Sequence, residues 1–387
     1  MKLLCLILLL ALFSGCKSSE GPIFAEVEGN SMLPELHGRA IYETCPKCGF
    51  HGLRCPTGTS VCPNCGWLTL EKERETLPYE VRPADRLRVV PQEKYAHDDL
   101  VVVVPSSEIG PVVKRVVGVP GDRLEVRDGA LFRNGKRVVH TLETWLKTRI
   151  LVFNDDFRPE GRSRWKVSEP QTDQPRAGWE LESGGDALTY EHETARFTSD
   201  GCRFVPGPIT SQRAENGTLF PASAIRFPKE FMLEFEAEFG TDENEGCICV
   251  TFPTFRLTWK GNRSKGRKTR FIFSTLDGLP RLWINGRPVP SAEMEAEKGD
   301  FGTIQVRNLA GEMVALRHLV LWRGEIWEDF SANYHNFTKK EKNLVAFDCG
   351  SEYYIIGNNL FVSEDSRVWG GISPRQILGR ATLINNE

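Results

Sequence analysis

Short apolar runs separated by polar turn residues make up most of this chain, and this pattern predicts β-strands. The runs are rich in β-branched residues and are bounded by Gly, Pro, Asn and Asp, which is typical of strands joined by tight turns. Asp-Gly in "RDGA" and Asn-Gly in "RNGK" supply the positive φ angles of hairpin turns. An antiparallel sheet is therefore predicted from four consecutive stretches: "DRLRVV" (85–90), "DLVVVVP" (99–105), "PVVKRVVGVPGD" (111–122) and "RLEVRDGALFRNGKRV" (123–138).

A second series of strand-like runs lies between roughly Leu151 and Ala346. Their length and spacing, with Gly, Asn and Asp between them, predict a two-sheet β-sandwich. The runs are "FMLEFEAEF", "CICVTF", "RFIFST", "RLWING", "TIQVRN" and "ALRHLVLWRGEIW". This segment resembles the jelly rolls of the concanavalin and laminin-G class, and the resemblance implies a glycan or a protein as its binding partner. The predicted fold class is mainly β.

The N-terminus carries an apolar run from Leu3 to Phe13, preceded by Lys2. The run is shorter than the roughly 20 residues of a membrane-spanning helix and matches the apolar region of a signal peptide. "FSGC" resembles a bacterial lipoprotein cleavage box, which would make Cys16 the lipidated first residue of the mature chain. A short uncleaved anchor oriented by Lys2 is the alternative, and a buried core helix is a third interpretation. The first two place the rest of the chain outside the cytoplasm.

Four of the 11 cysteines form two Cys-x-x-Cys pairs, each followed by Gly. The pairs, "CPKCG" with Cys45 and Cys48 and "CPNCG" with Cys62 and Cys65, have the separation of a zinc ribbon. Four thiolates leave no open coordination position, so the predicted zinc has a structural role. His51 and Cys55 lie between the pairs and are possible substitute ligands. Two disulfides are the alternative, because an exported protein meets an oxidising environment.

Composition and charge add a limit on partners. The net charge of -3 on 387 residues gives no electrostatic reason to expect nucleic acid.

Two residues stand out as candidates for catalytic chemistry. Ser31 lies in the turn-like stretch "VEGNSMLPEL", where an ordinary turn serine is the alternative to a nucleophile. In an alternating strand, Lys114 of "VVKRVV" shares a face with Val112 and Val116, where burial would lower its pKa. The alternatives are that Lys114 faces solvent while Arg115 points inward, or that both extend to the surface.

Five stretches together resemble the conserved boxes of bacterial type I signal peptidases, in the same order. They are "EGNSMLPEL", "DRLRVV", "DDLVVVVP", "KRVVGVPGDRLEVRDGALFRNGKRV" and "YYIIGNNLFVSEDSRVWGGISPRQILGRA". The resemblance implies that Ser31 is the nucleophile, that Lys114 is the general base, and that Ser363 hydrogen-bonds the lysine amine. It further implies supporting roles for Asp365, Arg367, Gly357 and Asn359.

Two positions depart from the family pattern. The Ser31 backbone N–H is the expected donor to the oxyanion, and some family members add a serine hydroxyl two positions earlier, where this chain has Gly29. The second donor is therefore not identified. Asn358 stands where the family usually has Asp, which is expected to alter local hydrogen bonding more than the pair of Ser31 and Lys114.

The sequence therefore predicts a membrane-attached serine endopeptidase on the extracytoplasmic side of a bacterial cell membrane, with exported preproteins cut after small residues as substrates. The alternatives are a surface binding protein with a degenerate peptidase core and, less well matched, a self-cleaving repressor. The predicted domains are a signal or anchor (1–16), a catalytic β domain (23–40, 81–150 and 347–387), a zinc ribbon (41–70) and the sandwich (151–346).

Overall fold

The structure is a computed structural model that describes most of the chain from residue 22 to residue 384. The described ranges are 22–46, 49–53, 60–61, 68–69, 72, 75–127, 130–155, 178–181, 189–191, 194–197, 201–205, 230–240, 246–262, 266–301, 304–309, 314–324, 346–360 and 363–384. The N-terminal apolar run with Cys16, together with Cys48, Cys62 and Cys65, lies outside these residues.

The described elements are nearly all strands, joined in antiparallel pairs. This confirms the mainly β fold class that the alternating pattern predicts. The strands are β1 Ile23–Glu26, β2 Ala40–Thr44, β3 His51–Leu53, β4 Ser60–Val61, β5 Leu68–Thr69, β6 Tyr79–Arg82, β7 Arg86–Val90, β8 Leu100–Val103, β9 Val112–Gly118, β10 Arg123–Arg127, β11 Ala130–Arg133, β12 Lys136–Arg137, β13 Ile150–Asp155, β14 Gly178–Leu181, β15 Thr189–Glu191, β16 Thr194–Phe197, β17 Gly201–Val205, β18 Phe231–Phe239, β19 Gly246–Thr251, β20 Phe255–Gly261, β21 Thr269–Ser274, β22 Arg281–Ile284, β23 Arg287–Pro288, β24 Met294–Lys298, β25 Ile304–Asn308, β26 Val314–Arg323, β27 Ala346–Asp348, β28 Tyr354–Ile356 and β29 Ile377–Leu383. The helices are α1 Leu142–Thr148 and α2 Ser366–Trp369, with 3-10 turns at Leu276–Gly278, Ser291–Glu293 and Pro374–Gln376.

The sheet that carries the candidate site has the strand order β1-β7-β29-β8-β9-β28. Its middle strands have apolar side chains packed on both faces: Val101 and Val103 belong to one core cluster, while Val102 belongs to another. Successive residues of a strand point to opposite faces, so a sheet covered on both sides buries every position of its central strands. Strand β9 accordingly buries all five residues from Lys114 to Gly118.

A second, smaller sheet has the order β12-β11-β10-β27, and its Leu124 and Leu131 share an apolar cluster with Tyr354 of β28 in the first sheet. Strand β27 reaches this sheet only after the chain has passed through the residues of the sandwich. The register pairs Leu124 of β10 with Phe347 of β27. The segments before and after the sandwich are thereby joined into one β structure.

The strands from β13 to β26 form two further sheets, one with the order β15-β16-β26-β18-β21-β22-β23 and β13 beside β26, the other with the order β14-β17-β25-β19-β20-β24. A single large apolar cluster draws residues from both sheets, including Phe235, Phe271, Val250 and Leu257. Strand β18 alternates buried and partly buried residues along most of its length. This is the pattern of strands that face a shared core between two sheets.

Helix α1 lies between β12 and the first strand of the sandwich, β13. Thr141 caps its first turn by accepting a hydrogen bond from the Thr144 N–H. Trp145 packs against Met232 and Leu276, and its indole N–H donates to the Asp277 carboxylate at 3.0 Å. Within the described residues, no helix has both the length and the apolar character needed to cross a lipid bilayer.

Candidate active site

Ser31 lies in a compact turn between β1 and β2. The turn is closed by backbone hydrogen bonds from Leu36 N to Met32 O at 3.1 Å and from Gly38 N to Gly29 O at 3.3 Å. Met32 and Leu36 are each only 1% exposed and anchor the turn in the apolar cluster beneath it. The serine itself is half-buried.

Lys114 reaches Ser31 from the neighbouring strand β9. Its Nζ donates to the Ser31 Oγ at 2.9 Å. The lysine is 3% exposed, and burial lowers its pKa from 10.5 to about 8, with Arg367 acting in the same direction and Asp365 and Glu364 opposing it. A substantial fraction of this amine is therefore neutral near pH 8 and able to take up a proton.

The turn after β28 closes over both residues. The Asn359 N–H donates to the Ser31 carbonyl at 3.0 Å, and the Gly357 N–H donates to the Asp365 carboxylate at 3.0 Å. A Cβ added at Gly357 would lie 2.2 Å from the Ser363 Oγ and 2.5 Å from the Ser31 carbonyl oxygen. Glycine at this position is what allows the turn to approach the Ser31 backbone so closely.

Asp365 and Arg367 form a buried ion pair beside Ser363. Arg367 donates to the two Asp365 carboxylate oxygens at 2.8 and 2.9 Å, and to the Ser363 carbonyl at 3.0 Å. Burial opposes ionisation of Asp365, but the Arg367 charge and hydrogen bonds outweigh it, so the pKa of Asp365 stays below its ordinary value. The pair holds the 363–367 segment in place as a charged, fully bonded unit.

The Ser363 hydroxyl is directed toward Glu364 and Asp365. It donates to the Glu364 carbonyl at 3.4 Å and also hydrogen-bonds the Asp365 carboxylate. Within the part of the chain that the structure describes, no hydrogen bond joins it to Lys114, the contact that the family resemblance implies. The structure thus places Ser363 beside Gly357, with its hydroxyl bonded within its own segment.

A buried ion pair lies behind the Ser31 turn, and it was not predicted from the sequence. Arg115, the residue after Lys114, is buried and forms an ion pair with Glu35 of the Ser31 turn. Asn358 lies between them, accepting from the Arg115 Nε at 2.9 Å and donating to Glu35 at 2.9 Å. The available signal was the pair of adjacent cations in "VVKRVV", which alternation alone interprets as one buried and one exposed side chain.

The Ser31 backbone N–H is the oxyanion donor that the sequence predicts. Within the described residues, the Ser31 backbone N–H donates no hydrogen bond. Gly29 has a φ of 73° and open space around its Cβ position, but no side chain that could add a second donor. The turn therefore presents one free backbone donor next to the Ser31 hydroxyl.

Cys45 starts the first of the two cysteine pairs, at the end of β2. Its N–H donates to Phe50 O at 2.8 Å, and Gly49 N donates back to Cys45 O at 2.9 Å, with Gly49 at a φ of 69°. Glycine at position 49 adopts this positive φ without steric cost. Within the described ranges, which omit Cys48, Cys62 and Cys65, no group of three or more potential ligands is arranged to hold a metal ion.

Comparison with known proteins gives one family match. The model of the family described as "Signal peptidase, peptidase S26" matches residues 3–171 and 279–385. No curated protein sequence matches the chain significantly.

The solved structures that the chain resembles are β proteins at low similarity. Domain 4 of a GH43 extracellular arabinanase from Geobacillus stearothermophilus aligns at 10% identity with a TM-score of 0.26, covering 46% of this chain and 95% of that one. Trypanosoma rangeli sialidase aligns at 9% identity with a TM-score of 0.24, covering 63% and 49%. Sheep galectin-11 aligns at 12% identity with a TM-score of 0.15, covering 25% and 88%. These scores are too low to bear on function.

Proposed function

Because the chain belongs to the signal peptidase family, peptidase S26, we propose that it is a membrane-attached serine endopeptidase that removes signal peptides from exported preproteins through a Ser31 and Lys114 dyad. The observation that carries this proposal is the 2.9 Å contact between the Ser31 hydroxyl and the buried Lys114 amine. A serine hydroxyl needs a nearby base as it attacks a carbonyl, and a buried neutral lysine is such a base.

In the first step, neutral Lys114 accepts the Ser31 proton while Oγ attacks the scissile carbonyl carbon. The negative charge that develops on the carbonyl oxygen is stabilised by the Ser31 N–H. The protonated lysine then donates its proton to the leaving amine, and an acyl-enzyme ester remains on Ser31. In the second step Lys114 accepts a proton from the water that attacks the ester carbon. The bond from this carbon to Ser31 Oγ then breaks, Lys114 returns the proton to Oγ, and the carboxylic acid product leaves.

We expect the activity to depend on pH through Lys114. Only the neutral amine acts as a base, so kcat/KM should rise with pH, about tenfold per pH unit in the acid limb, and level off above a pKa of about 8. The measurement is kcat/KM on a signal-sequence peptide from pH 6 to pH 10. Burial lowers the pKa of His37, which lies in the Ser31 turn. An acid limb shifted well below pH 8, into the range of a histidine, would therefore contradict the role of Lys114 as the base.

Membrane attachment is supported by the start of the described chain. Phe24 is 60% exposed and Ile23 is 43% exposed, and both lie beyond the N-terminal apolar run, which ends at Phe13. Tyr79, Val81 and Ile41 are also exposed, and Ile41 pairs with Val81 in the β2–β6 register, so that these side chains lie on one face. Exposed apolar side chains of this kind suit the interface of a bilayer. The run before them would serve as a lipoprotein signal with Cys16 lipidated, or as a short anchor.

The test of the function is cleavage of a fluorogenic signal-sequence peptide in detergent, with the cut site identified by mass spectrometry. The full-length protein should cut after a small residue, and the Ser31→Ala variant provides the blank. If neither protein cleaves any of several such peptides, the peptidase function is contradicted. The alternative is then a surface binding protein that binds a glycan or a protein through the sandwich.

The cysteine pairs form a structural zinc site in this proposal, with Cys45, Cys48, Cys62 and Cys65 as ligands. The backbone at Cys45 supports it, because the Cys45 N–H donates to Phe50 O and the Cys45 carbonyl accepts from the Gly49 N–H. Zinc would hold the ribbon together and take no part in the cleavage. We expect one zinc per chain, and loss of one ligand through Cys45→Ser should remove it. Elemental analysis with a thiol count under non-reducing conditions measures this, and two disulfides without zinc would contradict it.

A further inference from the structure

The guanidinium of Arg115 is buried directly behind the candidate active site. Its side chain is only 7% exposed, and each of its three nitrogens has a partner. The Nη2 pairs with the Glu35 carboxylate, the Nε donates to Asn358 Oδ1 at 2.9 Å, and the Nη1 donates to the Asp98 carbonyl at 3.0 Å. A buried cation is costly unless an anion neutralises it, so the identity of the anion matters.

Glu35 is that anion. Among the described residues, it is the only carboxylate within ion-pair distance of Arg115. Asn358 also contacts the guanidinium, but an amide carries no charge to compensate it. The resemblance to signal peptidases leads one to expect Asp at position 358. In this chain the carboxylate comes from the turn of the nucleophile instead, and Asn358 donates its amide to Glu35 at 2.9 Å.

The three residues belong to the three segments that build the site. Glu35 lies four positions after Ser31 in the same turn, Arg115 follows Lys114 in β9, and Asn358 lies between Gly357 and Asn359. The Asn359 N–H in turn holds the Ser31 carbonyl at 3.0 Å, and the Asn358 amide lies 3.5 Å from the Met32 carbonyl. A shift in any of the three would move Ser31 relative to Lys114.

We propose that Glu35 is a positioning residue that sets the distance between Ser31 and Lys114, by neutralising Arg115 and tying the turn of the nucleophile to the strand of the base. The proposal rests on the proposed peptidase function. It also implies that the carboxylate at position 35 and the amide at position 358 can exchange places. Arg115 needs one carboxylate and one amide in contact with its guanidinium, whichever of the two positions supplies each.

The test is an exchange of these two groups. Glu35→Gln keeps the shape of the side chain and removes the charge that neutralises Arg115. We expect kcat to fall about tenfold to a hundredfold while KM stays within about twofold, because the geometry of attack changes and the peptide contacts do not. Asn358→Asp alone should also lower kcat, since two carboxylates then share one guanidinium. The double variant, Glu35→Gln with Asn358→Asp, restores one charge and one amide, and its kcat should return to within about threefold of wild type.

Controls separate positioning from folding. Glu93→Gln removes the same charge from an exposed site and should leave kcat and the melting temperature unchanged. Kinetics are measured well below each variant's melting temperature. Wild-type kcat in folded Glu35→Gln, or a double variant no better than Glu35→Gln, overturns the proposal. If Glu35→Gln does not fold, the double variant decides: a folded, active protein supports the exchange, and an unfolded or inactive one overturns it.

The same set of proteins distinguishes this proposal from the function on which it rests. Wild type that is as silent as Ser31→Ala overturns the peptidase function, and the positioning role with it. In that event the melting temperatures of the two single variants and the double variant still test the ion pair itself. Recovery of the melting temperature in the double variant would confirm the exchange of charge without a catalytic role.

Discussion

Replacing Lys114 by Met is expected to abolish peptide cleavage and, at the same time, to stabilise the protein. Without the amine, the Ser31 hydroxyl at 2.9 Å has no base, and loss of a dyad member typically costs about 10³ to 10⁶ in kcat. The stability change has a different origin. Folding lowers the lysine pKa from 10.5 to about 8, so below pH 8 the folded state holds a buried charge that the unfolded state keeps in water. Removing that charge should raise the free energy of unfolding by about 3 kcal/mol.

The pH dependence of this stabilisation distinguishes it from better packing by Met. Between pH 8 and pH 10.5 the unfolded wild type binds one proton more than the folded wild type, so wild-type stability rises with pH in this window. The gain from Lys114→Met should therefore be complete below pH 8 and should vanish as pH rises to 10.5. Denaturant unfolding of both proteins at pH 7 and pH 10.5 measures it. A gain of equal size at the two pH values would contradict the buried charge, and residual cleavage near the wild-type rate would contradict the base.

Gly357→Ala is the second substitution with a large expected effect, because it introduces a single methyl group where there is no space. The added Cβ would meet the Ser363 Oγ at 2.2 Å and the Ser31 carbonyl oxygen at 2.5 Å. The serine hydroxyl can rotate away, but the carbonyl belongs to the backbone of the nucleophile. The turn and Ser31 must therefore separate, which breaks the hydrogen bond from the Asn359 N–H to Ser31. We expect kcat/KM to fall at least about a hundredfold and the protein to be destabilised by about 1 to 3 kcal/mol.

The measurement is kcat/KM together with the melting temperature, and Gly110→Ala is its control. Gly110 has a φ of 76° with nothing within 4 Å of its Cβ position, so its substitution strains the backbone without a collision. That variant should lose stability and keep full activity. Wild-type kcat/KM in Gly357→Ala would show that the approach of this turn to Ser31 is not needed for cleavage.

The β-rich fold was predictable because its strands carry their own signals. Val101, Val102 and Val103 are β-branched in sequence and buried in the structure, and the Asn134-Gly135 pair makes the turn that the hairpin signal indicated, with positive φ at both residues. What the chain does not show locally is the order of the strands. Placing β29 between β7 and β8 depends on contacts between residues nearly 300 positions apart, for which local propensity carries no information.

The candidate site was predictable only in part, and strand β9 shows why. Alternation in "VVKRVV" predicts that one of Lys114 and Arg115 is buried, whereas the structure buries both because the sheet is covered on both faces. The proximity of Ser31 and Lys114 followed only from family resemblance. The ion pair of Arg115 with Glu35 followed from neither, since Glu35 in "MLPEL" has no local feature that marks it as buried.

The position of β29 has a consequence for when this protein becomes able to act. The strand, Ile377–Leu383, is the last of the described chain, yet it lies inside the sheet between β7 and β8, and Gly357, Ser363 and Asp365 come only shortly before it. A ribosome makes the segment with Ser31 first and the segment that closes the sheet last. The candidate site can therefore assemble only after this last strand has been made. For the proposed peptidase, this order keeps the growing polypeptide free of a complete active site.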